Sequence, residues 1–148
     1  MENDDIALKK LLEIKGLIHI FKDLEEAEIL SIISDVNFQK FAVTETVIYE
    51  HDTDRLIYYI LKGSCDVRVH NQKVAELEKG KLFGEMSSIL NKPRNATVKA
   101  TQSDTTLISF KIDMNDLSKN YSAFAKLFKN ISIDLSEKVD KVNKLLLT

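Results

Sequence analysis

Apolar side chains recur every three to four positions at the start of the chain, which is the spacing of an amphipathic helix. Gly16 interrupts this pattern, and Asp23 with Glu26 three residues later is typical of a capped helix start. We therefore predict a helical segment over residues 3–36, in two parts. Its apolar positions are Ile6, Leu8, Leu11, Leu12, Ile14, Leu17 and Ile18, followed by Ala27, Ile29, Leu30, Ile32, Ile33 and Val36.

The pattern changes at Phe38, beyond which short β-branched and aromatic runs follow at intervals of about eight to twelve residues. This spacing is typical of an antiparallel sandwich or roll, which we predict over residues 37–113. A tight hairpin turn is expected at Asn71-Gln72. The predicted strands are Thr46–Tyr49, Leu56–Leu61, Cys65–His70, Lys73–Leu77, Asn95–Thr101 and Thr106–Ile112.

Helical spacing returns after Asp113, and it predicts C-terminal helices over residues 114–148. Part of the apolar stripe fits the seam of a heptad repeat, which Lys138 interrupts. Two alternatives stay open: the stripe packs on its own chain, or its end pairs two chains. The stripe consists of Leu117, Phe124, Leu127, Phe128, Ile131, Leu135, Val139, Val142, Leu145 and Leu146.

Composition narrows the class of protein. The 148 residues suffice for one domain with its own core, and 44% hydrophobic with 30% charged residues is ordinary for a globular protein. A net charge of -2 gives no general attraction for DNA, RNA or acidic membranes. The single Cys65 excludes an internal disulfide, and no apolar run approaches the roughly 20 residues that cross a bilayer. Because the acidic N-terminus also lacks a signal peptide pattern, we expect a cytoplasmic protein without a membrane segment.

The most specific chemistry lies in residues 83–98, which read FGEMSSILNKPRNATV. Gly84 allows a ligand to approach the backbone closely, and residues 86–90 suffice for about one helical turn, whose free N–H groups attract an anion. Arg94 offers a planar fork of donors that suits two oxygens of one phosphate. An ionised Glu85 can only accept hydrogen bonds, so it needs a hydroxyl donor such as a sugar. These residues together predict a pocket for a phosphorylated sugar.

This stretch resembles the phosphate-binding cassette of the cyclic nucleotide-binding domain family, found in protein kinase A regulatory subunits, the catabolite activator protein and cyclic nucleotide-gated channels. The match rests on Phe-Gly-Glu at 83–85 and on Pro-Arg-x-Ala-Thr-Val at 93–98. The resemblance implies a mainly β fold with flanking helices. The implied fold is a jelly-roll-like β-roll (double-stranded β-helix), and in the family the C-terminal helices close over the nucleotide base and often pair two subunits. The implied ligand-binding residues are Gly84, Glu85, Met86, Ser87, Arg94, Asn95 and Ala96.

The resemblance also implies a role for each part of the site. Arg94 and the backbone N–H of Ser87 bind the cyclic phosphate of cAMP or cGMP, and Glu85 accepts the ribose 2′-hydroxyl. The alternative for Arg94 is a surface or strand-end arginine that pairs with Glu85, and the alternative for Glu85 is an ordinary turn carboxylate. The implied function is a regulatory sensor that relays binding to its C-terminal helices and on to an unidentified effector protein. We expect no chemical reaction, no further cofactor and no DNA-binding domain in this chain.

Four positions depart from the family pattern. Thr44 and His51 replace family glycines, so we expect other turn geometry there. Ser88 replaces a large apolar residue that reports binding to the following helix, so that coupling runs through Met86 or Ile89, or is absent.

Asn95 is the fourth departure, and it leaves the base preference open, with family frequency favouring cAMP. The four departures together support a rival function. In that alternative the domain is a degenerate roll that no longer binds nucleotide and serves in oligomerisation or docking.

The remaining reactive side chains predict neither catalysis nor metal binding. His19, His51 and His70 share no metal-ligand spacing, which disfavours a cupin-type metalloenzyme on a β-roll. Cys65 lies in an alternating strand with no histidine nearby in sequence, so a buried structural thiol is expected rather than a nucleophile.

Overall fold

Two four-stranded antiparallel sheets form the centre of the computed structural model, which describes residues 2–113 and 120–147. The chain begins with helix α1 (Glu2–Glu13), two 3-10 turns (Lys15–Leu17 and His19–Phe21) and helix α2 (Glu26–Ile32). Helix α3 (Glu85–Leu90) lies between two strands, and helix α4 (Tyr121–Leu147) follows the sheets. The strands are β1 (Ile33–Phe41), β2 (Thr46–Ile48), β3 (Ile57–Lys62), β4 (Ser64–Val69), β5 (Gln72–Glu78), β6 (Leu82–Phe83), β7 (Thr97–Ala100) and β8 (Thr105–Ile112). The predicted mainly β fold with flanking helices is confirmed.

Strand β3 separates two hydrophobic cores. It lies in the sheet of order β1-β8-β3-β6, which faces the sheet of order β2-β7-β4-β5. Tyr58 and Ile60 belong to the core between the sheets, whereas Ile57 and Tyr59 belong to the core beneath the helices. Because successive side chains of a strand point to opposite faces, a strand buried on both sides must be apolar throughout.

The N-terminal helices and the first half of α4 pack together on the outer face of the first sheet. Leu11, Ile29 and Leu127 are fully buried there. The side-chain amide of Asn130 on α4 donates to the carbonyls of Ile20 (2.9 Å) and Lys22 (2.8 Å), which ties α4 to the 3-10 turns. The start of α4 is therefore fixed to the rest of the domain.

The predicted second helix is too long at its end and is capped at a different residue. It ends at Ile32, and β1 begins at Ile33, which pairs with Ile112 of β8. The helical prediction through Val36 is wrong because β8 supplies the backbone partners that make this segment a strand. Glu25, not Asp23, caps α2 through a capping box with Glu28.

Two turns keep the left-handed backbone that glycine normally provides. Thr44 has a φ of 71° and His51 a φ of 75°, so the expectation of other turn geometry is wrong. The amide of Thr44 donates to the carbonyl of Ala100 and the amide of His51 to that of Arg94, each at 2.8 Å. These tertiary hydrogen bonds oppose the cost of a left-handed backbone in a residue with a Cβ.

The remaining element boundaries agree closely with those predicted from the sequence. All six predicted strands are present within two residues at each end, while β1 and β6 are strands that the sequence pattern does not predict. The hairpin turn lies one residue earlier than predicted, with positive φ at His70 and Asn71. Among the described residues, the C-terminal part is one continuous helix, and the part of the prediction over residues 114–119, with Leu117 of the apolar stripe, lies outside them.

Candidate functional site

A pocket of about 380 Å³ opens between the second sheet, α3 and the middle of α4. Ile48, Val67, Leu77 and Val98 give it an apolar wall, and Lys138 of α4 lies at its edge. This volume falls within the usual range for small-molecule sites. All seven residues predicted to bind the ligand line this pocket, namely Gly84, Glu85, Met86, Ser87, Arg94, Asn95 and Ala96.

Gly84 places α3 against Arg94. It takes a φ of +87° and is the residue before the first turn of α3, which starts at Glu85. A Cβ at this position would lie 2.8 Å from Nη1 of Arg94 and 2.9 Å from the carbonyl oxygen of Leu56. Both the backbone conformation and this close approach therefore require glycine.

Arg94 is buried, with 3% of its surface exposed, and all five of its N–H donors are used within the protein. Nη1 donates to the hydroxyl of Ser87 (2.6 Å) and to the carbonyl of Gly84 (2.9 Å). Nη2 donates to Oδ1 of Asp54 and to the carbonyl of Leu56, each at 2.5 Å, and Nε donates to Oδ2 of Asp54 at 3.2 Å. The guanidinium that lines the pocket is thus held by five hydrogen bonds within the protein.

Asp54 is a site residue that the sequence does not reveal. It lies in the loop between β2 and β3 and forms an ion pair with Arg94. Burial alone would raise the pKa of Asp54, but the hydrogen bond and charge of Arg94 bring that pKa below its ordinary value. The alternative that Arg94 pairs with Glu85 is wrong, because Asp54 takes that place.

Glu85 pairs with Lys138 instead. Its carboxylate is buried, and Oε1 lies 3.2 Å from Nζ of Lys138, which also contacts Asp134 at 2.9 Å. Burial alone would lower the pKa of Lys138, but the hydrogen bond to Asp134 and the charge of Glu85 hold that pKa above its ordinary value. In the sequence, Lys138 stands out only as a break in the heptad seam.

The charges of the site balance. Glu85, Asp54 and Asp134 are negative, Arg94 and Lys138 are positive, and the exposed Lys92 adds a third positive charge at the rim. An anionic ligand therefore meets no excess of negative charge in the pocket.

The other cassette residues divide between the core and the pocket. Ser88 is buried, and Ile89 packs against the core that contains α4. Met86 and Asn95 are exposed at the rim of the pocket. Met86 and Ile89 are the two residues expected to couple the cassette to the C-terminal helix in place of Ser88, and of these Ile89 has the position to do so.

The reactive side chains outside the pocket form no further centre among the described residues. His51 and His70 each lie about 4 Å from the carboxylate of Glu50 (3.9 and 4.0 Å), but no group suited to a metal ion occurs in residues 2–113 and 120–147. Cys65 is buried, and burial together with the charge of Asp66 raises its pKa to about 11. Within the same residues, no helix is long and apolar enough to cross a membrane.

The sequence and the fold both resemble known proteins. Human potassium/sodium hyperpolarization-activated cyclic nucleotide-gated channel 1 is 26% identical over 131 residues, which cover 86% of this chain and 14% of the channel. A cyclic nucleotide-binding domain from Methylobacillus flagellatus superimposes with a TM-score of 0.73 at 20% identity, covering 98% of this chain and 85% of that one. The regulatory domain of Toxoplasma gondii PKA with cAMP gives a TM-score of 0.65 at 15% identity, covering 90% and 51% of the two chains. These structures show that the predicted β-roll is the fold.

Membership of a family is shown by a family model that matches more than half of the chain. The chain spans only about a seventh of the channel's length (14%), so the likeness to the channel concerns one part of that protein. The family model for the cyclic nucleotide-binding domain matches residues 38–119, which include both β-sheets beyond the start of β1 and the whole cassette. The chain belongs to the cyclic nucleotide-binding domain family.

Proposed function

We propose that this domain binds cAMP in the pocket at α3 and relays binding to α4 as a regulatory sensor. The observation that carries the proposal is the convergence of a buried arginine fork and a buried carboxylate on one apolar-walled pocket. Arg94 binds the cyclic phosphate, Glu85 accepts the ribose 2′-hydroxyl, and the apolar wall covers the base. No chemical step is proposed.

Binding requires Arg94 to exchange one of its partners. Its contacts to Asp54, Gly84 and Leu56 involve a charge or backbone carbonyls, which have little freedom to move. The contact to the hydroxyl of Ser87 can be released by rotation about one side-chain bond. The phosphate therefore replaces Ser87 as the partner of Nη1.

The relay runs through Glu85 and Lys138. A ribose hydroxyl that donates to Glu85 shares the carboxylate with Lys138 and weakens the ion pair between cassette and helix. Lys138 keeps its ion pair with Asp134 on the same helix. Loss of the Glu85–Lys138 ion pair therefore alters how α4 lies against the pocket. Ile89 provides an apolar contact between the cassette and the same core. The effector that reads this change is another protein.

The choice of cAMP over cGMP rests on family frequency and on the cAMP-bound relative. Calorimetric titration with both nucleotides, after the protein has been unfolded and refolded to remove ligand, tests the proposal. Binding of cAMP at micromolar concentration, with weaker binding of cGMP, is the expected result. A folded protein that binds neither nucleotide would contradict it.

A second candidate function is a scaffold that no longer binds nucleotide. The observation in its favour is that the site is complete without a ligand: Arg94 has five internal hydrogen bonds, and Glu85 has Lys138. The same titration distinguishes the two functions. Binding of either nucleotide excludes the scaffold, and the absence of binding supports it.

We also propose that the end of α4 pairs two copies of the chain. Val139, Val142 and Leu146 are more than half exposed and continue, at spacings of four, three and four, from the partly buried Leu135. Such spacing suits a two-helix seam. Sedimentation of the parent and of Val142→Glu tests this, with Val74→Glu on β5 as an equally exposed control. A parent that is monomeric at all concentrations would contradict dimerisation.

The proposed location is the cytoplasm. The unpaired Cys65 suits a reducing compartment, because a free thiol persists where disulfides are kept reduced.

A further inference from the structure

The loop between β2 and β3 holds the cassette by main-chain hydrogen bonds. The amide of Arg94 donates to the carbonyl of Asp52 at 2.7 Å, and the amide of His51 donates to the carbonyl of Arg94 at 2.8 Å. The side chain of Asp54, in the same loop, binds the guanidinium of Arg94. The position of Arg94 is thus determined by a part of the chain that lies outside the cassette motif.

Arg55, the next residue of this loop, holds the other half of the cassette. Its Nη1 donates to the carbonyl of Ser87 at 3.0 Å and to the carbonyl of Lys92 at 3.1 Å, and its Nη2 donates to the side-chain oxygen of Asn91. These three acceptors lie on α3 and on the turn that follows it. One guanidinium therefore bridges the end of α3 and the turn that leads into Arg94.

The bridged turn is held both by its own backbone and by Arg55. Asn91 ends α3 with a left-handed backbone, at a φ of 54°, and its amide donates to the carbonyl of Ser87. The carbonyl of Ser87 also accepts from the amide of Lys92 at 3.3 Å, so the turn closes on this one carbonyl. Arg55 adds a side-chain donor to the same carbonyl and also binds Asn91 and the carbonyl of Lys92, so it restrains the turn between Ser87 and Arg94.

We propose that Arg55 is a positioning residue for nucleotide binding, which holds the turn after α3 so that both phosphate-binding parts of the cassette are in place before the ligand arrives. Arg55 is not among the described residues that line the pocket, so it acts through the cassette and not by touching the ligand. Its planar fork reaches three acceptors at once, which a lysine ammonium on a flexible stem does not reproduce. This role rests on the proposed function, because it presumes that the pocket binds a cyclic nucleotide.

The test compares Arg55→Ala and Arg55→Lys with Arg68→Ala. The side chain of Arg68 pairs with Asp66 on β4, and neither residue is among the described residues that line the pocket. The Arg68→Ala variant is therefore a matched control for a change in stability alone. For each protein, calorimetry measures the affinity for cAMP, thermal unfolding measures the stability without ligand, and hydrogen exchange measures the opening of amides 87–92.

We expect both Arg55 variants to bind cAMP about ten-fold more weakly, as loss of part of a pre-organised site implies. Exchange of amides 87–92 should be faster in both variants without ligand, while amides of β4 and β5 exchange as in the parent. Arg68→Ala should unfold at a lower temperature but bind cAMP within about two-fold of the parent, because it shares no side-chain partner with the cassette.

Each remaining outcome contradicts one part of the inference. An Arg55→Ala variant that binds cAMP as tightly as the parent would overturn the positioning role and leave the proposed function intact. The same holds if Arg68→Ala loses as much affinity as Arg55→Ala, or if Arg55→Lys restores full affinity. A parent that binds neither cAMP nor cGMP would overturn the proposed function, and the role of Arg55 with it.

Discussion

Nζ of Lys138 lies 3.2 Å from Oε1 of Glu85, so α4 reaches the candidate site through an ion pair. Lys138 is the residue of α4 that lines the pocket, and Asp134, one turn earlier, holds its other side. The ion pair lies at the boundary between the fixed and the exposed parts of the helix. Phe124, Leu127 and Ile131 are buried before this point, whereas Val139, Val142, Leu145 and Leu146 are more than half exposed beyond it.

Replacing Lys138 with alanine should separate binding from the relay. We expect Lys138→Ala to keep cAMP affinity within about ten-fold of the parent, because Arg94 remains in place. The change in hydrogen exchange that cAMP induces in residues 134–147 of the parent should be lost. Lys144→Ala, which removes an exposed pair with Asp140 on the same helix, is the control and should respond as the parent does. An unchanged response in Lys138→Ala would show that coupling takes another route.

Three glycine substitutions separate backbone strain from steric conflict. Gly84→Ala should lower stability by on the order of 1–3 kcal/mol and abolish cAMP binding, because its Cβ meets Arg94 in a strained backbone. Gly80→Ala has a similar φ, +89°, but its Cβ meets only the hydroxyl of Tyr59 at 3.8 Å, so it should cost about 1 kcal/mol and leave binding intact. Gly16→Ala meets nothing within 4 Å and should be close to neutral. Denaturant unfolding and calorimetry measure both effects, and equal losses in Gly84→Ala and Gly80→Ala would exclude the steric contribution.

The ion pair of Asp54 and Arg94 should stop stabilising the fold at acidic pH. The pKa of Asp54 is lower in the folded protein than its ordinary value of 3.8, so its contribution to stability is present above pH 3.8 and is lost as the pH falls through the folded pKa. Parent and Asp54→Asn should therefore differ in the free energy of unfolding at neutral pH, and the difference should shrink below pH 3.8. Unfolding curves over this range measure it, and a difference that does not depend on pH would rule out the ion pair as its source.

Cys65 should be inert in the folded protein. Burial raises its pKa to about 11, so almost no thiolate is present near neutral pH, and reagents cannot reach the sulfur. A thiol reagent added near pH 8 should therefore react only after the chain is unfolded. The control is the unfolded protein, in which one thiol per chain should react. Rapid reaction of the native protein would contradict the buried position of Cys65.

Gly84, Glu85 and Arg94 could be proposed from their chemistry and spacing in the sequence, whereas Met86, Ser87, Asn95 and Ala96 followed from the resemblance to the family. Gly84 and Glu85 are separated from Arg94 by one short helix and a turn, so both ends of the motif must lie near each other. The type of each side chain then indicates its chemistry. Six of the eight strands were predictable in a similar way, because runs of β-branched and aromatic residues favour strands wherever they lie in the fold.

Asp54, Arg55 and Lys138 could not be found in the same way. Asp54 lies 40 residues from Arg94 in sequence, and Lys138 lies 53 residues from Glu85. On a sequence they look like any charged residues of a loop or of an exposed helical face. Their contacts depend on how the β2–β3 loop folds over the cassette and where α4 crosses the pocket.

Ile33, Thr44 and His51 show the same limit in the backbone. Ile33 fits a helical spacing, but it becomes a strand residue because β8 offers backbone partners. Thr44 and His51 favour a negative φ by themselves, and tertiary hydrogen bonds hold them at a positive one. The order of the elements and the chemistry of the cassette thus follow from short-range pattern. The partners of the charged site residues and the strained turns depend on long-range packing, because interactions between distant segments exist only once both sheets and α4 have assembled.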